Sequence, residues 1–487
     1  MEDFMPEHHD SKWTSLLNEG RRKHAARPTT PSISDEPQKD IEYRTQIERD
    51  HDRILFCTPV RRMADKTQVF PLDKNDSVRN RLTHSHEVSN LARSLGVTLA
   101  YHLESLLQVN DAKRTVPALL AAVGLVHDLG NPPFGHQGEA AIQSWFKDNR
   151  TKIGASELSD ELFQDFLKFE GNAQTFRLVT RLQLLNDNFG LDLTYATLAA
   201  MMKYPTSSAS VNKEEGVAKK KHGFFSSEES IAKEILKEVG LEIGLRHPMA
   251  YLMEACDDIA YAVLDAEDAI KKGLASFSDL MAHLKHNNSD PLINSVVEFG
   301  EEKHNEYRRE SLSPAELNDV SMQRFRVSAI GHMINAATKA FIAHEETLVS
   351  GTEKLSLLEL SEAGCLRDSL CEFSKSYAFV HRTVLEVELR GYNTIRGLMD
   401  ILWDAIKETD PDNEQKTLKN PYDRYVYTRI SENYRRVYRY PAAEVKVLPV
   451  KYRQFLLLTD MVSGMTDSYA MDLLDELTSF KTKVQNG

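Results

Sequence analysis

Four side chains have the types and spacing of a single hard-metal site: His84, the adjacent pair His127 and Asp128, and Asp257. Imidazole and carboxylate ligands together suit Mg or Mn, and are compatible with Co, Fe or Zn. A metal held this way lowers the pKa of bound water and polarises a phosphoryl oxygen, so the chemistry expected is hydrolysis of a phosphoester or anhydride. Sulfur ligands are not expected, because Cys57, Cys256, Cys365 and Cys371 form no CxxC pair or dense framework. His84 precedes Val88, Leu91 and Leu95 on an apolar stripe, which turns its ring toward the core, where a lone charged histidine is unfavourable. The His127-Asp128 dipeptide ends a segment, Ala118 to Val126, that is apolar on all sides. Asp257 is preferred to Asp258 because Asp257, Tyr261 and Asp265 recur every fourth residue on one helix face, while Asp258 points about a hundred degrees away. Each residue alone has a bland reading, since a single buried histidine is more often a hydrogen-bonded core residue. His86, beside His84, points to a different helix face and is not expected to be a ligand.

After Gly130 the stretch NPPFGHQGE is too rich in Pro and Gly for a helix, so it is expected to be a shaped loop that delivers His136 and Glu139 beside the metal. A histidine titrates near neutral pH, and a carboxylate hydrogen-bonded to it fixes its tautomer and raises its basicity, which suits a general acid or base.

The elements that must position these groups are helical. Helical spacing runs from Val88 to Leu99, and further helical patterns cover Gln174 to Leu185, Ile231 to Val239, Pro248 to Lys272, Phe325 to His344 and Thr394 to Ile406. Strand-like alternation is scarce, so the expected class is all-α. Residues 1–42 are polar, Pro-containing and unpatterned and read as a flexible arm, followed by one large helical domain over 43–480. Two segments, 206–229 and 286–321, read as mobile insertions, and the run Lys219-Lys220-Lys221 reads as a solvated charge cluster.

The longest apolar run, Val116 to Val126, is far short of a membrane span, and Met1 to Asp10 is acidic rather than signal-like, so the expectation is a soluble, cytoplasmic protein. The formal net charge of -13 opposes global attraction to nucleic acid. Small anions would have to be captured by local Lys, Arg and a cation.

The segments KTQVF (66–70), RLTHSHEVSNLARSLG (81–96), GLVHDLGNPPFGHQGE (124–139), FEGNAQTFR (169–177), MKYP (202–205), YLMEACDDIAYAVLDAEDA (251–269) and LTDMVSGMTDSYA (458–470) carry a resemblance. In order and spacing they resemble the dGTPase-like deoxynucleoside triphosphate triphosphohydrolases of the HD-domain class. The resemblance fails over the N-terminal arm and the two insertions. It implies an HD-type helical fold, metal ligands at His84, His127, Asp128 and Asp257, and His136 with Glu139 as the catalytic pair. It further implies that Gln68 meets the sugar or base, that Arg81 and Lys203 with Tyr204 meet phosphates, that Asn172 lies near the phosphates or metal, and that Tyr261 with Asp265 surrounds the deoxyribose. The implied reaction converts a dNTP, dGTP by analogy with the family's name, into deoxynucleoside and inorganic triphosphate. A homo-oligomer is implied too, with an allosteric dNTP or single-stranded DNA left open as activator. Two other readings use the same four ligands: a generic HD phosphodiesterase or 5'-nucleotidase, and a nucleotide-sensing regulator. The first has no need of the FGHQGE loop or the Tyr261–Asp265 pair, and a pure sensor has no use for an acid-base pair.

Overall fold

The computed structural model describes residues 12–26, 43–70, 78–183, 189–286, 290–413 and 418–485. Its regular structure is helical, and the described residues form no extended sheet, only the isolated bridges Arg21–Thr194 and Thr67–Asn80. The all-α expectation holds.

The helices that carry the site are fixed by local chemistry. Helix α1 (Arg81–His102) opens on a reciprocal cap: the Asn80 side chain accepts from the Thr83 amide while the Thr83 hydroxyl accepts from the Asn80 amide. Helix α2 (Ala112–Val126) is buried along nearly its whole length. It packs on α1 through small residues, since a Cβ on Gly124 would stand 2.8 Å from Ser89 Cα and one on Gly96 would stand 3.1 Å from Pro117 Cα. Backbones this close leave no room for side chains, and they bring His84 and His127 to within 5.7 Å, ring centre to ring centre.

The Pro- and Gly-rich stretch after α2 is a shorter loop than expected. Phe134 and Gly135 adopt positive φ (61° and 55°) and the chain re-enters a helix at once, α3 (Gly135–Asp148), so His136 and Glu139 lie on its first turns and not on a loop. Helix α4 (Gly171–Arg177) runs into a π-turn, Leu178–Leu182, which ends the pattern expected to reach Leu185; residues 184–188 lie outside the described set. The expected helices near 231–239 and 248–272 appear as Glu229–Glu238 and α5 (Pro248–Lys271). Those near 325–344 and 394–406 are parts of longer helices, α6 (Pro314–Ala343) and α7 (Arg382–Ile406). Helix α8 (Val450–Ser463) is buried throughout most of its length.

Two large apolar clusters form. The first is aliphatic and gathers α1, α2, α5 and α6. The second is aromatic and gathers α3, α7 and α8, with Phe146, Phe166 and Phe455 in mutual ring contact. The two contacts to Phe455 are edge-to-face, and such pairs add to the burial of apolar area.

Three expectations are corrected. Residues 12–26 are not a flexible arm: Lys12–Leu16 is helical, Trp13 is 2% exposed, and its indole N–H donates to Ser105 Oγ at 2.9 Å. Residues 1–11 and 27–42 lie outside the described set. The segment 206–229 is a compact series of 3₁₀ turns, held by buried Phe224 and Phe225 and by His222, whose ring nitrogens meet Phe224 O and Lys168 O. The segment 286–321 contains the helix Pro291–Tyr307 and the start of α6, each begun by a capping Asp290 or Ser313; residues 287–289 are outside the described set. Polarity misled at both places, because these elements hide one apolar face or a few aromatic anchors.

Candidate active site

Three helices converge on one point. His84 comes from the first turn of α1, His127 and Asp128 from the end of α2, and Asp257 from the middle of α5. Donor atoms of His84, His127 and Asp257 all lie within 4.8 Å of one another. His84 Nε2 is 3.1 Å from Asp257 Oδ1, and His127 Nε2 is 3.5 Å both from that oxygen and from Asp128 Oδ2.

The donor set fits a divalent cation. His127 Nδ1 donates to the Gly124 carbonyl at 2.7 Å, which leaves Nε2 as the lone-pair nitrogen; that atom is buried with no hydrogen-bond partner. A ring fixed by a backbone carbonyl on one side and open on the other is the arrangement of a metal-binding imidazole. Burial disfavours charge on His127, but the carboxylates of Asp128 and Asp257 outweigh it and push its pKa up to about 9. Burial likewise works against Asp257, yet the neighbouring His127, with the hydrogen bond from His84, holds it well below the usual carboxylate range. The field of paired carboxylates that draws a proton to His127 is the field that stabilises a cation. Asp128 stands slightly apart, with one oxygen paired to Arg81 and the other accepting from Asn131 Nδ2 at 2.7 Å.

The His136 imidazole is 85% exposed and opens into the same cavity. Its Nδ1 donates to Glu139 Oε2 at 3.2 Å, and Glu139 Oε1 accepts from the Gly171 amide at 2.7 Å. The hydrogen bond to Glu139 raises the His136 pKa above its ordinary value. Burial alone would raise Glu139, but the bond from His136 keeps it lowered and ionised. The result is an accessible imidazole backed by a buried carboxylate.

The cavity measures about 650 Å³, in the range of small-molecule sites. Its wall includes Gln68, Arg81, His127, Asp128, His136, Glu139, Asn172, Lys203, Tyr204, Asp257 and Tyr261. Gln68 Oε1 is buried without a partner. Lys203 Nζ sits 3.5 Å from Asp257 Oδ2 and 3.5 Å from Glu254 Oε1. Arg81 is less free than expected, because its guanidinium pairs with Asp128 and donates to Thr67 O at 2.8 Å. Asn172 donates to Glu170 Oε1 at 2.8 Å. His84 lies behind the wall, 2% exposed. Asp265 does not reach the cavity: it is 3% exposed, and burial, aided by Asp268, raises its carboxyl well above the usual range.

Other wall residues were not anticipated. Lys221, expected to be solvated, pairs with buried Glu170 at 2.9 Å and faces the cavity. Asp258, expected to point away, lines the wall, and burial raises it to about 7 against the pull of Lys203. Asn131 orients Asp128, and its carbonyl accepts from Lys66 Nζ at 2.6 Å. Burial pushes Lys66 down to about 7. Position beside the His-Asp pair was the available signal for Asn131; nothing in the polar loop marked Lys221.

The family profile described as HD domain matches residues 81–182, the segment that contains α1 to α4. The chain is 37% identical, over 96% of its length and 99% of the relative's, to a deoxyguanosinetriphosphate triphosphohydrolase-like protein of Listeria monocytogenes. It is 33% identical over 89% of its length to a protein of the same description from Pseudomonas aeruginosa, 94% of which is covered. It is 32% identical over 92% of its length to the deoxyguanosinetriphosphate triphosphohydrolase of Yersinia pestis, 96% of which is covered. With the helical fold and the His/Asp cluster in place, these near full-length matches establish that the chain belongs to the deoxyguanosinetriphosphate triphosphohydrolase-like family of HD-domain proteins.

Proposed function

We propose that this protein hydrolyses deoxynucleoside triphosphates, dGTP among them, to a deoxynucleoside and inorganic triphosphate. One observation carries the reading: a His/Asp cluster suited to a divalent cation and an exposed His136 backed by Glu139 share a single cavity. His84, His127, Asp128 and Asp257 would hold the cation, with Mg or Mn the preferred identities. When bound, such a cation supplies Lewis acidity and lowers the pKa of water.

The chain's own residues then have defined tasks. Lys203 and Lys221 offset triphosphate charge at the wall, and Tyr204 flanks Lys203 with its ring 6.0 Å from the ammonium. Arg81 holds Asp128 in place and presents positive charge to the same region. The Tyr261 ring offers an apolar face for the deoxyribose, and Gln68 Oε1 offers an unpaired acceptor for the sugar or base. Water attacks the α-phosphorus and the bond to the 5'-oxygen breaks. His136, protonated and oriented by Glu139, gives its proton to that oxygen, and the proton released by the water restores the imidazolium. The β- and γ-phosphates stay joined to the α-phosphate throughout.

Incubation with each dNTP plus Mg or Mn, followed by product chromatography, tests the reading. Deoxynucleoside and triphosphate are expected, with ¹⁸O from labelled water found only in triphosphate. A deoxynucleoside monophosphate with pyrophosphate would overturn it.

A further inference from the structure

A second cavity of about 530 Å³ shares no residue with the catalytic one. It lies between the helices Pro421–Arg429 and Glu432–Arg439 and residues 409–413, which follow α7. Three arginines line it: Arg424, Arg435 and Arg439. Among the described residues no carboxylate lies within 4.0 Å of any of their guanidinium groups. Of the described acids in this stretch, Asp412 pairs with Arg453 at 2.6 Å, and Asp410, which lies in the cavity wall, accepts from the Asp412 amide at 3.0 Å.

Arg435 and Arg439 are four residues apart on one helix face, a spacing at which like charges repel. Both are held there on the buried Tyr427 ring, at 5.7 and 5.8 Å from its centre. Arg435 Nε is buried with no hydrogen-bond partner. The far wall is rigid: Tyr438 and Thr409 are hydrogen-bonded at 3.0 Å, and Thr409 Oγ1 donates to Ile406 O at 2.7 Å. In a chain of net charge -13, three guanidiniums that line one cavity with no carboxylate within 4.0 Å among the described residues, two of them pre-stacked on an aromatic ring, form an anion receptor. Several forked donors at different points of one cavity match an anion with several phosphoryl groups better than a single small ion.

We propose that this cavity is a second binding site, separate from the catalytic one, for an oligophosphate anion. The ligand is either free inorganic triphosphate or the phosphate tail of a nucleotide.

Calorimetric titration of the full chain, without added divalent metal, with inorganic triphosphate and in a parallel arm with a deoxynucleoside triphosphate tests it by binding, so the result does not depend on turnover. Titrations are repeated on Lys203→Gln protein to remove a contribution from the catalytic cavity. The expected result is a binding event that persists in Lys203→Gln and weakens about tenfold or more in Arg435→Gln/Arg439→Gln. Arg424→Gln, which alters an exposed guanidinium not stacked on Tyr427, weakens it as well and guards against a misfolded double variant. Equal affinity in the two arms identifies a site that reads phosphate alone, and tighter nucleotide binding identifies one that also reads the nucleoside; both support the proposal. Unchanged affinity and stoichiometry in Arg424→Gln and in a folded double variant would overturn it, as would absence of any event beyond the catalytic cavity.

Discussion

At the scale of single residues, the contrast between His127 and His136 separates two roles that sequence alone assigns only by resemblance. His127 is buried, its Nδ1 fixed by a carbonyl and its Nε2 aimed among carboxylates, which suits a ligand. His136 is exposed and is supported from behind by Glu139, which suits proton transfer. His136→Ala is expected to lower kcat by about 10²-fold or more, the scale of a lost general acid, while metal binding measured by equilibrium dialysis stays intact. A loss of metal with the ring would instead make His136 a ligand. Glu139 raises the His136 pKa, so the acid form survives to higher pH than a free imidazole would. Rate carried by that form is present at low pH and falls as pH rises through the raised pKa. Glu139→Gln removes the raising influence, and the basic limb of the kcat profile should therefore move to lower pH. A limb that stays in place would show that the carboxylate does not set the acid. Side-chain type and spacing made the cluster of His84, His127 and Asp257 legible, whereas Asp258 and Lys221 were misread. Their placement depends on how α5 and the 206–229 segment fold against each other, and helical periodicity does not encode that.

At the scale of elements, the active cavity depends on helix α4, which contributes little chemistry and much geometry. Its Gly171 amide donates to Glu139, and a Cβ at Gly171 would overlap Asn131 Oδ1 and press on Glu139 Oε1 at 2.9 Å. At its other end Arg177 is tied to Asp460 of α8 through Nε and Nη2 at 2.8 and 2.7 Å, and to Glu228 at 2.8 Å. All three side chains are buried. Removing the guanidinium leaves Asp460 buried without its paired charge and Glu228 with only Arg181, 4.0 Å away, so Arg177→Leu should destabilise the fold by about 3–5 kcal/mol. Urea denaturation reads this directly, and a change below about 1 kcal/mol would show that water reaches the acids and replaces the arginine. Helices of strong periodicity were visible in the sequence to within a few residues at most ends. The start of α3 was not, because Phe134 and Gly135 turn the chain through positive φ and allow a helix to begin directly after two prolines. The composition of NPPFGHQGE signals irregularity without saying how briefly it lasts.

At the scale of the whole molecule, the catalytic cavity draws on both apolar clusters, with Asp257 carried on α5 of the first and His136 on α3 of the second. The N-terminal segment closes the first cluster from outside. Its apolar residues Trp13, Leu16 and Leu17 fall at helical spacing, a signal outweighed in the sequence by the long polar stretch after it. The latch is His247, at the cap of α5, whose two ring nitrogens are both engaged in the neutral form. Nε2 donates to Leu16 O at 3.0 Å, and Nδ1 accepts from the Met249 amide at 3.2 Å. A second proton on Nδ1 would break the cap, and burial lowers the His247 pKa to about 4 from an ordinary 6.5. Between these values the unfolded chain binds a proton that the folded chain refuses, so stability falls as pH drops from 6.5 toward 4. The full difference is about 3–4 kcal/mol at about 1.4 kcal/mol per pKa unit. His247→Asn keeps a side chain able to cap the helix and removes the titration. Its unfolding free energy, measured in urea at several pH values, should therefore fall less steeply than that of the natural protein over this window, although it starts lower near neutrality. Parallel profiles would mean that the ring stays neutral in neither state's favour and that the N-terminal latch is indifferent to acid.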